Sequence, residues 1–224
     1  MVTILSYPRS GNHFVRYLVE FLTGRATLGA VGFTRIPGQD TPICLRSGPQ
    51  FLTHVNLEAP VANKAHFVHT LPKHTDRLVL IVRHPIEALI SHNGHPLSRS
   101  SMTKLESGAT EFLANLNYFE KFRGSKEIVF YEDLLGEGYT EALQALSRVF
   151  EFDNDRLADL VDNFQKYRVD SMKSPLRRPV SVKKNGSSRF YSDKIQAKNP
   201  KAFEFCESLV VNILNHKLIT EHYG

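Results

Sequence analysis

The sequence predicts a three-layer α/β fold on a central, mainly parallel sheet, and three observations carry that expectation. Short apolar runs alternate with segments whose apolar residues recur at helical spacing, the pattern of successive βαβ units. One run, Arg77 to Val82 (Arg-Leu-Val-Leu-Ile-Val), is apolar almost throughout, as strands buried on both faces of a parallel sheet are. The chain is 224 residues long, which suits one domain over 1–224 rather than two, and its 42% hydrophobic content is enough to fill that domain's core.

The elements follow in order. Val2 to Ser6 reads as the first buried strand. Phe14, Val15, Leu18, Phe21 and Leu22 then repeat with a helical period, and Gly24 is the stop. Ala30 to Ala65, with Pro37-Gly38, Gly48-Pro49 and Pro60, reads as a long loop of the kind compact domains reserve for function. Ala65 to Leu71 reads as the second strand and Arg77 to Val82 as the third. Pro85 suits the first position of a helix carrying Ile86, Leu89 and Ile90. Ser107 to Phe122 predicts a helix, Glu127 to Tyr131 a strand, and Tyr139 to Phe150 and Arg156 to Phe164 two helices. Lys173 to Lys198 is basic, polar and Ser-rich, hence loop, and Pro200 to Leu218 closes the chain as a helix. No internal repeat is visible.

Composition narrows the function. Lys and Arg number 28 against 23 Asp and Glu, a net charge of +5 that suits a small anionic ligand. A nucleic-acid binder more often shows a concentrated basic stripe; the densest one here is Lys173 to Arg189, with Arg177, Arg178, Lys183 and Lys184, and no nucleic-acid partner is expected. Cys44 and Cys206 stand far apart, and the ten histidines form no metal-ligand spacing, so neither a disulfide framework nor a metal is expected. Val2 to Leu5 is too short for a signal peptide's apolar region and no stretch approaches a membrane span, which predicts a cytoplasmic protein.

The chemistry concentrates at Tyr7-Pro8-Arg9-Ser10-Gly11-Asn12, between the first strand and the first helix. Free amides and the helix dipole attract anions at such a junction. Gly11 lets the backbone approach an oxyanion, Arg9 adds a planar donor fork, and Ser10 and Asn12 add hydroxyl and amide groups. The loop does not match G-x-x-x-x-G-K-[ST]: no Gly precedes Gly11 by five residues and no Lys-Ser/Thr follows it, which disfavours a magnesium-nucleotide hydrolase or kinase. A plain strand-to-helix turn with a surface Arg is the alternative for these residues taken alone.

A second motif, Leu80-Ile81-Val82-Arg83-His84-Pro85-Ile86-Glu87-Ala88-Leu89-Ile90-Ser91, places an Arg at a strand end and a Ser eight residues later in the next helix. Together with Tyr7 to Phe14 it resembles the sulfotransferase family that uses 3′-phosphoadenosine-5′-phosphosulfate (PAPS). The resemblance implies a P-loop NTPase-like sulfotransferase fold. It implies a first loop, Arg9 to Phe14 with His13, that holds the 5′-phosphosulfate, and Arg83 and Ser91 on the 3′-phosphate. The family's loop commonly reads Y-P-K-S-G-[ST]-[ST]-[WF]. Here Arg9 replaces the Lys, as in carbohydrate sulfotransferases, and Asn12-His13 replaces two hydroxyl residues. Phe130-Tyr131-Glu132-Asp133-Leu134 is similar to the family's F-Y-E-D-L, which puts Tyr131 near the adenine. Lys184-Asn185-Gly186 lies where the family carries R-K-G over the 3′-phosphate, with Arg189 as a substitute.

The resemblance also implies sulfuryl transfer to an acceptor hydroxyl or amine, in line and without a metal, with Arg9 and loop amides stabilising the leaving phosphate. The family's base is the His of K-T-H-L-P, and the closest counterpart here is His69-Thr70-Leu71-Pro72. Read as a strand, His66 and His69 point to opposite faces, so only one faces the donor. His13, His54 and His92 compete for the role. Gly29 to Asn63 and His92 to Ser107 are the expected acceptor pocket, for a carbohydrate or a small hydroxylated metabolite. A kinase-like phosphotransferase and a non-catalytic nucleotide-binding protein are the alternatives.

Overall fold

Five short segments adopt strand geometry: β1 (Val2–Ser6), β2 (Thr27–Leu28), β3 (Ala62–Ala65), β4 (Arg77–Val82) and β5 (Ser125–Phe130). In the computed structural model they pair in the order β2-β3-β1-β4-β5, every strand parallel to its neighbours. The structure describes residues 1–29, 59–93, 99–171, 196 and 199–223. Among these are eight α-helices: α1 (Asn12–Thr23), α2 (Pro85–Asn93), α3 (Arg99–Lys121), α4 (Tyr139–Ser147), α5 (Asn154–Asp162), α6 (Phe164–Ser171), α7 (Pro200–Leu214) and α8 (Lys217–Tyr223).

Alternation along the central strands sorts these helices into two layers. Val79 and Ile81 of β4 join Val2 and Ile4 of β1 in one buried cluster, with α1, α4, α5 and α6. Leu78, Leu80 and Val82 join Leu5 in the other, with α2, α3, α7 and α8. The fold is therefore α/β, with a wholly parallel sheet between two helical layers. After β1 the chain adds β2 and β3 on one side and then β4 and β5 on the other. Its course thus diverges at the carboxyl end of β1, where open parallel sheets form their ligand crevice.

The first strand, the first helix, β4 and the Pro85 start of α2 lie where the sequence predicts. Gly24 closes α1 in the left-handed conformation at φ 64, its N–H bonded to the Glu20 carbonyl. The second strand does not lie over Ala65 to Leu71. It ends at Ala65, and Val68–Thr70 is a 3₁₀ turn. Thr70 causes the break: its amide and hydroxyl bond the Phe67 carbonyl at 2.9 and 2.7 Å, and Phe67 N–H returns to Thr70 Oγ1 at 3.2 Å. The true strand escaped notice because its apolar residues are small (Ala62, Ala65) and its other two, buried Asn63 and half-buried Lys64, are polar. The predicted helix over Ser107 to Phe122 begins eight residues earlier, at Arg99. The predicted helices over Arg156 to Phe164 and Pro200 to Leu218 each split into two, at Asn163 and between Leu214 and Lys217. The basic loop over Lys173 to Lys198 lies, residue 196 apart, outside the described residues.

Leu80 is fully buried at the centre of the sheet, packed in the cluster under α2, α3 and α7. Leu80→Ala is expected to destabilise the fold by about 2–5 kcal/mol, read as a lowered urea midpoint at unchanged slope.

Candidate functional site

A cavity of about 280 Å³ opens at the carboxyl edge of the sheet, lined from four strand ends. Arg9, Gly11, Asn12 and His13 come from the β1–α1 loop and the start of α1, and Arg16 from the next turn. Lys64 and His66 come from β3 and the residue after it, Arg83 from the β4–α2 junction and Tyr131 from the end of β5.

The loop is built for close approach. Arg9 holds a left-handed φ of 69, rare for a residue with a side chain, and Gly11 follows at φ 88. A Cβ on Gly11 would overlap the Tyr131 ring, so glycine is required twice over. No side chain caps the amino end of α1, which leaves its first amides directed at the cavity rim. Ser10 Oγ and Asn12 Oδ1 are buried and find no hydrogen-bond partner among the described residues. Asn12 Nδ2 donates to Ser6 Oγ at 3.0 Å, and His13 Nε2 donates to the Ser171 carbonyl at 3.0 Å.

The two sequence motifs meet here. Arg83 Nη1 donates to the Arg9 carbonyl at 3.0 Å, its Nη2 lies 3.4 Å from the buried Glu87 carboxylate, and its guanidinium sits 5.4 Å from the Tyr131 ring centre. Ser91 Oγ accepts from Arg9 Nε at 3.4 Å. Behind them, Glu132 accepts from the His84 amide at 3.0 Å and from the Tyr223 hydroxyl at 2.5 Å. His222 stacks on Phe130 with ring centres 3.6 Å apart. The last helix thus fastens the Phe130–Asp133 segment and, through His84, the Arg83 corner.

The histidines separate clearly. His69 does not line the cavity: its side chain is 65% exposed, stacked on Phe67 and 3.9 Å from Glu111. His66 does line it, its backbone carbonyl held by Asn115 Nδ2 at 2.9 Å. His66 Nδ1 lies 3.0 Å from the Ser6 carbonyl, which only accepts, so Nδ1 carries the proton and Nε2 is the basic nitrogen. Burial, reinforced by the Lys64 charge, pushes the His66 imidazole down from 6.5 to about 4. His92 is also held below its ordinary value, by burial and by Arg9. Burial and the neighbouring Arg16 push Lys64 down from 10.5 to about 8.

Of the residues marked by sequence, Arg9, Gly11, Asn12, His13, Arg83 and Tyr131 are brought together around the cavity. Ser10 and Ser91 support them, and Phe14 packs into the core against Phe164 instead. Lys184, Asn185, Gly186, Arg189 and His54 lie outside the described residues. Arg16, Lys64 and the Glu132–Tyr223 contact were missed. Lys64-Ala65-His66 carries the K-x-H spacing three residues upstream of His69, and its Lys and His both line the cavity. Among the described residues no group of three His, Cys, Asp or Glu stands ready for a metal, and no helix is long and apolar enough to cross a membrane. Neither a protein-family model nor a curated protein matches the sequence.

Protonating His66 is harder in the folded chain than in the unfolded one, whose His titrates near 6.5. Its contribution to stability is therefore complete above pH 6.5 and lost as pH falls toward 4. Urea midpoints measured across that range should fall more steeply for the natural chain than for His66→Gln, and parallel curves would contradict the assigned burial.

Proposed function

We propose that the chain is a PAPS-dependent sulfotransferase acting on an acceptor hydroxyl or amine. What carries the proposal is the meeting of two anion-directed groups at one crevice: the uncapped, left-handed Arg9–Asn12 loop, and Arg83 reaching it with Ser91 behind Arg9. A sulfuryl donor with a phosphate at each end of its ribose needs two such positions. The loop also lacks the Lys-Ser/Thr of a magnesium-nucleotide site. The wholly parallel sheet supports a P-loop NTPase-like sulfotransferase fold.

The donor fits the residues present: the orphaned Ser10 hydroxyl, free helix-end amides and a glycine against an aromatic ring make a cradle for an anion beside a histidine. When bound, the donor supplies a sulfuryl group on a good phosphate leaving group. Arg9 and the amides at the start of α1 stabilise charge growing on the leaving oxygen. His66 Nε2 takes the acceptor proton, and its low proton affinity keeps it in the basic form throughout the neutral range. Arg83 and Ser91 serve the 3′-phosphate and Tyr131 flanks the adenine, with the Glu132–Tyr223 contact steadying the Arg83 corner and the Tyr131 segment. The acceptor class is a carbohydrate or a small hydroxylated metabolite.

Adenosine 3′,5′-bisphosphate should raise the melting temperature without metal, while ATP with magnesium should not. The reverse result would favour a kinase-like phosphotransferase; stabilisation by the bisphosphate without transfer of labelled sulfate to any acceptor class would favour a binding protein. Within the enzyme, His66→Gln should cut kcat by about 10²–10⁴-fold and leave bisphosphate affinity near that of the natural chain. His69→Ala should leave transfer within about twofold, and a large loss there would return the role of base to His69.

A further inference from the structure

The cavity holds a pair of cations that the donor, as assigned above, does not use. Arg16 and Lys64 line it on the β2–β3 side of β1, and Arg83 lines it from the β4 side. Arg16 is rigidly placed: Nε donates to Thr27 Oγ1 at 2.7 Å, Nη2 donates to the Thr27 carbonyl at 3.0 Å, and Glu20 accepts from the Thr27 amide at 3.0 Å. Lys64 is the opposite case. Its half-buried ammonium has three donors and no hydrogen-bond or ion-pair partner among the described residues. Among the described residues that line the cavity there is no carboxylate.

Burial first, and then the like charge of Arg16, disfavour the Lys64 ammonium and lower its proton affinity. An anion between the two cations offsets both. We propose that Arg16 and Lys64 form an anion subsite for the acceptor, so that the acceptor is a hydroxylated acid whose carboxylate or phosphate lies between these two cations. This rests on the sulfotransferase proposal. Lys64 and His66 are two residues apart and both line the cavity, so the acid group and the reacting hydroxyl occupy neighbouring positions in it. The subsite also lies on the side of the carboxyl edge where β2 ends and the expected acceptor segment over Gly29 to Asn63 begins. Lys64 loses its charge above pH 8, so acid binding should weaken there.

The test compares glucose, glucuronate and glucose 6-phosphate, matched in ring and in every hydroxyl except that at C6. Calorimetry measures their binding to the bisphosphate-saturated protein, and kcat/KM their sulfation. The acids should lead glucose by about tenfold or more in both readouts, and Lys64→Met and Arg16→Met should erase that lead. Lys64→Met should also melt at a higher temperature than the natural chain, since it removes a half-buried cation without a partner. Glucose bound as well as the acids would overturn the proposal. So would an equal loss of both acceptor types in the variants, which would assign the pair to the sulfuryl group, or a matching loss of bisphosphate affinity, which would assign it to the donor. A melting temperature lowered by Lys64→Met would make the lysine structural and overturn it as well. If the natural chain binds no bisphosphate, the sulfotransferase proposal fails by itself, and binding of the three sugars to the nucleotide-free protein still decides whether an acid subsite exists.

Discussion

The hydrogen bond from Arg83 to the Arg9 carbonyl is the contact on which the site depends. It ties the β4–α2 corner to the β1–α1 loop, two segments 74 residues apart in sequence. It also explains how Arg9 keeps a left-handed backbone that a side chain disfavours: the surroundings fix the carbonyl and thereby the peptide. Arg83 is itself held from three directions, by the buried Glu87, by the Tyr131 face, and by the Glu132–His84 amide bond at its back. These partners come from α2 and from the segment that follows β5, so the loop is shaped by its neighbours along the carboxyl edge of the sheet rather than by its own sequence.

Charge is layered around this contact. The cavity surface carries cations, whereas acids stand one layer back: Glu20 behind Thr27, Glu87 behind Arg83, Glu132 behind His84. This arrangement keeps the fixed guanidiniums in place and still leaves a positive face toward the crevice. Lys64 departs from the pattern, having no acid behind it among the described residues. A low dielectric around it makes that departure expensive in the empty protein and favourable once an anion arrives.

Much of this was legible in the sequence, for local reasons. Residues of β1 and β4 are bulky, apolar and buried on both faces, so their pattern alone marks them. Arg9, Gly11 and Arg83 sit at strand ends, where a motif reports position directly. The choice between His66 and His69 was not legible, because it turns on where β3 stops. That end is set by pairing of Leu5 with Ala65 and by the Thr70–Phe67 turn, the first of them a non-local contact. Nothing local in the sequence sets Arg16 apart; its bonds to Thr27 on a two-residue strand fix it where it lines the crevice. The role of Tyr223 was hidden for the same reason, since its partner Glu132 lies 91 residues earlier.

The place of β1 in the sheet has a consequence for the order in which the molecule assembles. It is the first strand made, yet its two neighbours pair through Val2 with Ala62 and with Arg77. A ribosome extends the chain by about 5–20 residues each second, so an apolar strand waits several seconds for either edge to be covered. Non-local parallel pairing is slow to nucleate, because long loops must close before contacts reward them. Through that interval Val2–Ser6 is a bare, sticky segment with both edges open, a natural client for a holding chaperone and the point from which misassembly would begin.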